Sequence, residues 1–414
     1  MKYRDDVITS LDTCIKCSAC TAQCPVSKVN PNFGGPKWLG PDAERLRLES
    51  GAILKLALDD CSNCKTCEST CPSGVKITDM ILKARRKRSL DQNTPTLALK
   101  MRLRGYVLGR AEYLGRLGVI WPGLTNKVLG LKIMRYGLDK ALGISKFGPL
   151  PPYSQALGIR ADQAKDGQNR KLERKVMYFP GCYTNYNEPN TGRMVIKILE
   201  HVGYKVVVPD FHCCGLPLEA NGQFAKAQVN ATHNLELMEN YLQVNVPIIT
   251  SCTSCGLTLK EEYPKVSVPG AERIGQQTFD LFEFLWSLHE KNELPLNFIK
   301  QEISLGYHLP CHLRAQGIGI PSLRVLSLIP GINVHNLDVG CCGLSGSYGF
   351  KKEKYEISMQ IGRGLFEATK IGVNHGDFQE MITECGVCKV QIEHGAGVPT
   401  KHPVWILAQA YGLA

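Results

Sequence analysis

Eighteen cysteines stand in this chain of 414 residues, and every one belongs to a spaced group. Eight form two matching runs, Cys14-x2-Cys17-x2-Cys20-x3-Cys24-Pro25 and Cys61-x2-Cys64-x2-Cys67-x3-Cys71-Pro72. Ten more form two sets of five further along. A chain this long does not need disulfides to hold a core. The opening MKYRDDVITS has no apolar h-region, so no secretory signal is expected, and the expected setting is reducing and cytoplasmic. Reduced cysteines in such number and order point to metal-ligating thiolates.

The two runs carry the bacterial ferredoxin spacing for [4Fe–4S] clusters. Three thiols two residues apart on one tight loop reach three corners of a cube, and the fourth ligand must come from elsewhere. In two-cluster ferredoxins the last cysteine of each run serves the other cluster. The expected sets are therefore Cys14, Cys17, Cys20 and Cys71 for one cluster, and Cys61, Cys64, Cys67 and Cys24 for the other. Zinc sites use paired C-x-x-C knuckles instead.

The sets of five form an internal repeat. Cys182, Cys213-Cys214-Gly215 and Cys252-x-x-Cys255 are answered by Cys311, Cys341-Cys342-Gly343 and Cys385-x-x-Cys388, at offsets of 129, 128 and 133 residues. Alone, a C-x-x-C is a redox pair or half a zinc knuckle, and a vicinal Cys-Cys is two small hydrophobes. Recurring together, five thiols exceed the need of one cubane and favour a larger or bridged iron–sulfur cluster. Zinc and a dithiol site remain the alternatives. His212, His308 and His312 lie beside these cysteines, where they could tune a cluster or donate to a quinone; the ordinary reading of each is a hydrogen-bonded histidine.

Short apolar runs precede the cysteines: VMYF (176–179), YKVVV (204–208) and VPIIT (246–250), then ISLGYH (303–308), INVHNL (332–337) and EMIT (380–383). Helical patterns lie between, as at Arg193–His201, Ala225–Tyr241 and Glu353–Thr369. Strands alternating with helices predict a mainly parallel α/β layer used twice, with the cysteines at strand ends and loops. The whole is an α+β multidomain chain: a helical ferredoxin-like domain with two [4Fe–4S] sites (1–95), a basic connecting segment (96–172), and two α/β cysteine-rich modules (173–302 and 303–414). At 43% hydrophobic and 21% charged residues, disorder is excluded. The longest uncharged stretch, 240–259, contains Asn240, Gln243, Asn245 and Pro247 and predicts a strand and turn, not a membrane span.

The net charge of +11 is concentrated. From Lys83 to Lys146 there are fifteen Lys or Arg against Asp91, Glu112 and Asp139. Leu124, Val128, Leu131, Met134, Leu138 and Leu142 recur at helical spacing, with Lys132, Arg135 and Asp139 on another face. This suits an amphipathic helix lying on an anionic membrane surface; docking onto an acidic partner subunit is the rival. Glycines at 105, 109, 115, 118, 130, 137 and 143 weaken helicity away from such a surface. Nucleic acid is discounted because no recognition motif accompanies the charge.

The CCG repeat resembles the cysteine-rich domains of heterodisulfide reductase B subunits and of the iron–sulfur subunits of glycolate and lactate oxidation systems. The order of parts, with GPKWLGPDAERLRL (35–48), FPGCYTNYN (179–187), CCGLPLEANG (213–222) and CCGLSGSYGFKKEKY (341–355), is most similar to the C subunits of anaerobic glycerol-3-phosphate dehydrogenases. The resemblance covers nearly the whole chain and is poorest over 96–172. It implies noncubane [4Fe–4S] clusters in both five-cysteine sets. It also implies electron transfer from flavin-containing dehydrogenase subunits to a menaquinone-type quinone, at the cytoplasmic side of the cell membrane in anaerobic respiration on glycerol. No G-x-G-x-x-G follows a strand, so no flavin or NAD is expected in this chain, and a partner must take the hydride. The rival readings are a glycolate- or lactate-oxidising complex, a heterodisulfide-reductase-like thiol–disulfide enzyme, and a zinc-structured scaffold.

Overall fold

The structure, a computed structural model, describes residues 10–50, 57–90, 99–158, 174–266 and 270–414. It contains two four-stranded, all-parallel sheets of the same topology. The first has the order β2-β1-β3-β4, from β1 (Arg174–Phe179), β2 (Tyr204–Val207), β3 (Ile248–Thr250) and β4 (Thr278–Asp280). The second has the order β6-β5-β7-β8, from β5 (Ile303–Tyr307), β6 (Ile332–Asn336), β7 (Glu380–Ile382) and β8 (Thr400–Lys401). The six apolar runs become strands. β4 and β8 are additions that the sequence reading lacked.

Alternation along the strands sorts their side chains into layers. Val176, Tyr178 and Ile249 face one core with Val195, Ile198 and Leu285; Met177, Phe179 and Ile248 face another with Leu235 and Met238. A parallel sheet covered on both faces reads as continuous apolar sequence, as VMYF does. The first core runs on without a break into the second module, through Phe282, Leu305, Tyr307, Val325 and Leu407. The two modules therefore share a core.

The amino-terminal part is built of short helices around Leu11, Val26, Leu39, Val75, Met80 and Ile81, with six of its cysteines in or against that core. Both boundaries of the expected connecting segment, at 95/96 and 172/173, lie outside the described residues.

Within that segment the expected single amphipathic helix is two helices, Pro122–Gly130 and Lys132–Leu142, broken where Leu131 turns to extended backbone. Its faces also differ from expectation. Asp139 is buried and bonded to Lys352, and Arg135 donates to the carbonyls of Ser145 and Lys146, so the polar row holds the segment down. Leu124, Leu131, Ile133, Met134 and Tyr136 are exposed. Four of the glycines have a packing reason instead of a surface one. Side chains at Gly105 and Gly109 would press on Asn221 and Gln223, at Gly115 on Tyr186 and at Gly118 on Tyr153. The preceding helices, Leu99–Gly109 and Ala111–Gly118, thus lie close against the first module.

Candidate metal centres

The first run wraps its loop by left-handed residues on either side of its middle cysteine, Lys16 and Ser18; the second does the same with Asn63 and Lys65. Each such residue costs roughly 1–2 kcal/mol when it is not glycine. The repeated strain bends each chain into a cup with its thiols turned inward. Cys14, Cys17, Cys20 and Cys71 line one cavity together with Pro41, Val75 and Ile77. Cys24 instead faces Cys61, Cys64 and Cys67, and adds to the electrostatic cost of ionising each of those thiols. The fourth cysteine of each run thus sits with the other run. Backbone N–H groups of Asn63 and Val75 point at the sulfurs of Cys61 and Cys71, both at 3.4 Å.

In each module the five cysteines come from three adjacent strands. Cys182, the Cys213-Cys214 pair and Cys252/Cys255 follow β1, β2 and β3; Cys311, Cys341-Cys342 and Cys385/Cys388 follow β5, β6 and β7. Loops at the carboxyl ends of neighbouring parallel strands open on one side of the sheet, where ligands are bound in such folds. The thiols touch in the order 182, 213, 214, 255, 252 in one module, and in the corresponding order 311, 341, 342, 388, 385 in the other. The Sγ atoms of Cys213 and Cys182 are 3.9 Å apart, and those of Cys342 and Cys388 are 3.3 Å apart. No cysteine is in a disulfide.

The motif's glycines follow from backbone geometry. Gly215 and Gly343 have φ of 102° and 88°, and a Cβ on Gly343 would lie 2.0 Å from the Ser358 carbonyl oxygen. Cys252 and Cys385 cap the helices Thr253–Leu257 and Gly386–Ala396 with nearly equal backbone angles, so each C-x-x-C stands at a helix amino terminus. Contact with Cys388 draws the Cys385 thiol down to about 7. Five sulfurs crowded together, each buried or half-buried, repel one another once ionised and need a polyvalent cation to offset that charge. The all-sulfur donor set suits iron–sulfur clusters.

The groups adjoin one another. Burial, and then the charge of Cys341, push the Cys64 thiol up to about 12, and Cys64 acts likewise on Cys311. The second ferredoxin-type group therefore lies against the second module. His312 joins three ligand loops: its Nδ1 meets Ser254 Oγ at 2.8 Å, and its Nε2 lies 3.1 Å from the Asn63 carbonyl, which it accordingly donates to. His212 is also hydrogen-bonded, its Nδ1 2.9 Å from Glu112 Oε1. The ordinary reading holds for these two. It fails for His308, which is buried with both ring nitrogens unpartnered among the described residues and is pushed down by burial to about 4.

Two residues that the sequence reading missed shape the sites. Glu112 accepts from the backbone N–H of Cys213 at 2.7 Å and holds His212, so the connecting segment fixes the first CCG loop. Its only signal was being an acid in a basic stretch. Lys65, between Cys64 and Cys67, is buried among four carboxylates: Glu261 at 2.8 Å, Asp79 and Glu262 at 3.5 Å, and Glu68 at 3.6 Å. It ties the ferredoxin-type part to the first module and had no sequence signal.

Comparison with known proteins adds matches to families and to individual relatives. A 4Fe-4S dicluster domain family matches residues 10–75, and a cysteine-rich (CCG) domain family matches 176–260 and 305–393. The chain is 38% identical over 405 residues, 97% of its length and 99% of the other's, to the C subunit of the anaerobic glycerol-3-phosphate dehydrogenase of Escherichia coli K12. It is 24% identical over 393 residues, 92% of its length and 67% of the other's, to the B subunit of the fumarate reductase (CoM/CoB) of Methanothermobacter marburgensis. Lactate utilization protein A of an Exiguobacterium strain is 26% identical over 198 residues, 44% of this chain and 77% of that one.

Proposed function

The chain belongs to the family of anaerobic glycerol-3-phosphate dehydrogenase C subunits, and from that premise we propose that it is the iron–sulfur electron-transfer subunit of such a complex. Cys14, Cys17, Cys20 and Cys71 hold one [4Fe–4S] cluster, and Cys61, Cys64, Cys67 and Cys24 hold a second. Cys182, Cys213, Cys214, Cys252 and Cys255, and then Cys311, Cys341, Cys342, Cys385 and Cys388, hold two further noncubane clusters. Bound there, the clusters supply one-electron transfer between a flavin-containing partner subunit and a menaquinone-type quinone. The observation that carries this reading is the seating of the second ferredoxin-type loop on the second module, where His312, next to Cys311, lies 3.1 Å from the carbonyl of Asn63, next to Cys64, and the charges of Cys64, Cys341 and Cys311 act on one another. It supports a route from the ferredoxin-type part (1–95) into the second cysteine-rich module (303–414). Cys17 and Ile15 are exposed at the rim of the first group, which suits entry of electrons from a docked partner.

Attachment to the membrane is the second part of the proposal. No helix among the described residues is long and apolar enough to cross a bilayer. Leu124, Leu131, Ile133, Met134 and Tyr136 are exposed beside Lys132, Lys140 and Lys146. An anionic leaflet would attract the lysines at about 1 kcal/mol each, and the apolar side chains would add burial that salt does not screen.

Two experiments test the proposal. The isolated chain should contain no flavin and should not oxidise glycerol 3-phosphate, yet should restore donor-to-quinone electron flow when mixed with its flavin partners. Oxidation by the chain alone, or failure to restore flow, would refute the division of labour. On anionic liposomes, salt should weaken binding without abolishing it, and L131D with I133D should remove the remainder. If the isolated chain does not bind liposomes, and K132E with K140E, both at exposed lysines, releases it from the flavin subunits, the face is a docking surface.

A further inference from the structure

The two modules differ at one position beside their cysteines. Three residues before Cys182 stands Phe179, and three residues before Cys311 stands His308. Phe179 ends β1, is fully buried, packs on Phe211 at 4.8 Å between ring centroids, and shares an apolar cluster with Cys213, Cys214 and Cys255. An apolar ring there leaves nothing unsatisfied. His308 follows β5 directly, and its backbone N–H donates to the Ile382 carbonyl at 3.1 Å, so the ring is placed by the sheet. It is 1% exposed, and neither Nδ1 nor Nε2 has a hydrogen-bond partner among the described residues.

A buried polar atom left unpaired costs about 1–3 kcal/mol, and a native fold that keeps one usually has an ion or water there. The neighbours of the ring indicate which. A ring nitrogen of His308 and the sulfurs of Cys342 and Cys388 form a group whose ligand atoms all lie within 4.8 Å of one another, and the two sulfurs are 3.3 Å apart. His312 cannot play this part, because both its nitrogens are engaged with Ser254 and Asn63. His212 has its Nδ1 engaged by Glu112.

Resting on the reading of the second module as an iron–sulfur site, we propose that His308 is a nitrogen ligand to the iron held by Cys342 and Cys388. The second module then has a mixed imidazole–thiolate donor set, while the first has thiolates alone. Imidazole is a good iron ligand. It is neutral, so it adds a donor to the five thiolates without adding negative charge, whereas a further thiolate in its place would add charge and lower the potential. The two repeats are thereby differentiated in their donor sets.

The test uses the full chain, purified anaerobically, with iron and labile sulfide measured on each sample. Electron spin echo envelope modulation is recorded on unlabelled protein and on protein carrying 15N-histidine. The expected result is a directly bound nitrogen coupling that changes from 14N to 15N with the label. H308F, which copies the first module, should lose that coupling while the signals of the other clusters stay. H308C, which keeps a donor at the site, should also lose it, retain the iron, and lower the potential of the second-module centre; it serves if H308F does not fold. Full iron load without a histidine nitrogen coupling, or a coupling that survives in H308F or H308C, overturns the proposal. Absence of iron from the second module in the unsubstituted protein overturns the underlying reading as well, and the metal analysis separates the two failures.

Discussion

Lys65→Met is expected to destabilise the folded chain by about 3–5 kcal/mol, the usual cost of removing one partner from a buried ion cluster. Lys65 is 4% exposed, and its ammonium stands among Glu68, Asp79, Glu261 and Glu262. Burial works against its charge, but the four carboxylates win, and Lys65 is held well above the ordinary lysine range. In the variant Lys265 remains as a paired cation, 2.8 Å from Asp79 and 3.0 Å from Glu262. The loss should depend on pH in a stated direction. In the unsubstituted chain the Asp79 carboxyl lies below its ordinary value: burial alone would raise it, and Lys65 and Lys265 overcome that. Its stabilisation is present above the unfolded carboxylate value of about 4 and is lost as pH falls through the folded one. Glu68 is already raised by burial in the unsubstituted chain, and without Lys65 the crowded carboxylates are raised further, so acid stabilises the folded variant relative to neutral pH. The gap between the two proteins should therefore narrow as pH falls below about 5. Calorimetry of both proteins under anaerobic conditions, across pH, measures this. A loss below about 1 kcal/mol at neutral pH would mean that the cluster is not buried as described.

Cys24→Ser is expected to remove the cluster of Cys61, Cys64 and Cys67 and to leave that of Cys14, Cys17 and Cys20. Total iron should fall from about 16 to about 12 per chain, taking four irons for each cluster. Cys24 faces the second run although it belongs to the first, and Cys71 does the reverse. Because Cys64 adjoins Cys341 and Cys311, the same substitution should cut electron flow to quinone to background in the assembled complex. Spectra that lose the first cluster and keep the second would refute the crossed arrangement. The reciprocal Cys71→Ser should show the opposite pattern.

The cysteines were the legible part of the sequence because cluster ligation fixes their spacing directly. The repeat could be read at three separate offsets, and with it the doubling of the fold. The strands before the cysteines were legible because parallel strands buried on both faces must be apolar throughout. β4 and β8 were not, since TFD and TK carry no apolar run and become strands only by pairing with β3 and β7. The connecting segment misled for a related reason. Its apolar period continues across Leu131, where the backbone breaks, and its glycines were needed by Tyr186 and Tyr153, which lie elsewhere in the sequence. Lys65 reaches Glu261 and Glu112 reaches Cys213, each about a hundred or more residues away, and no local pattern could reveal those contacts. His308 was visible only as a neighbour of cysteines; what distinguishes it from His212 and His312 is that its ring has no hydrogen-bond partner among the described residues, a property of the packed core.

The central claim is that all four thiol groups hold iron–sulfur clusters, and the most direct measurement is iron, zinc and labile sulfide per chain in anaerobically purified protein. The expected result is about 16 iron atoms, a matching quantity of sulfide and almost no zinc. About 8 iron atoms would restrict clusters to the ferredoxin-type part and contradict the assignment of the two modules. Stoichiometric zinc with little iron would contradict the electron-transfer account as a whole.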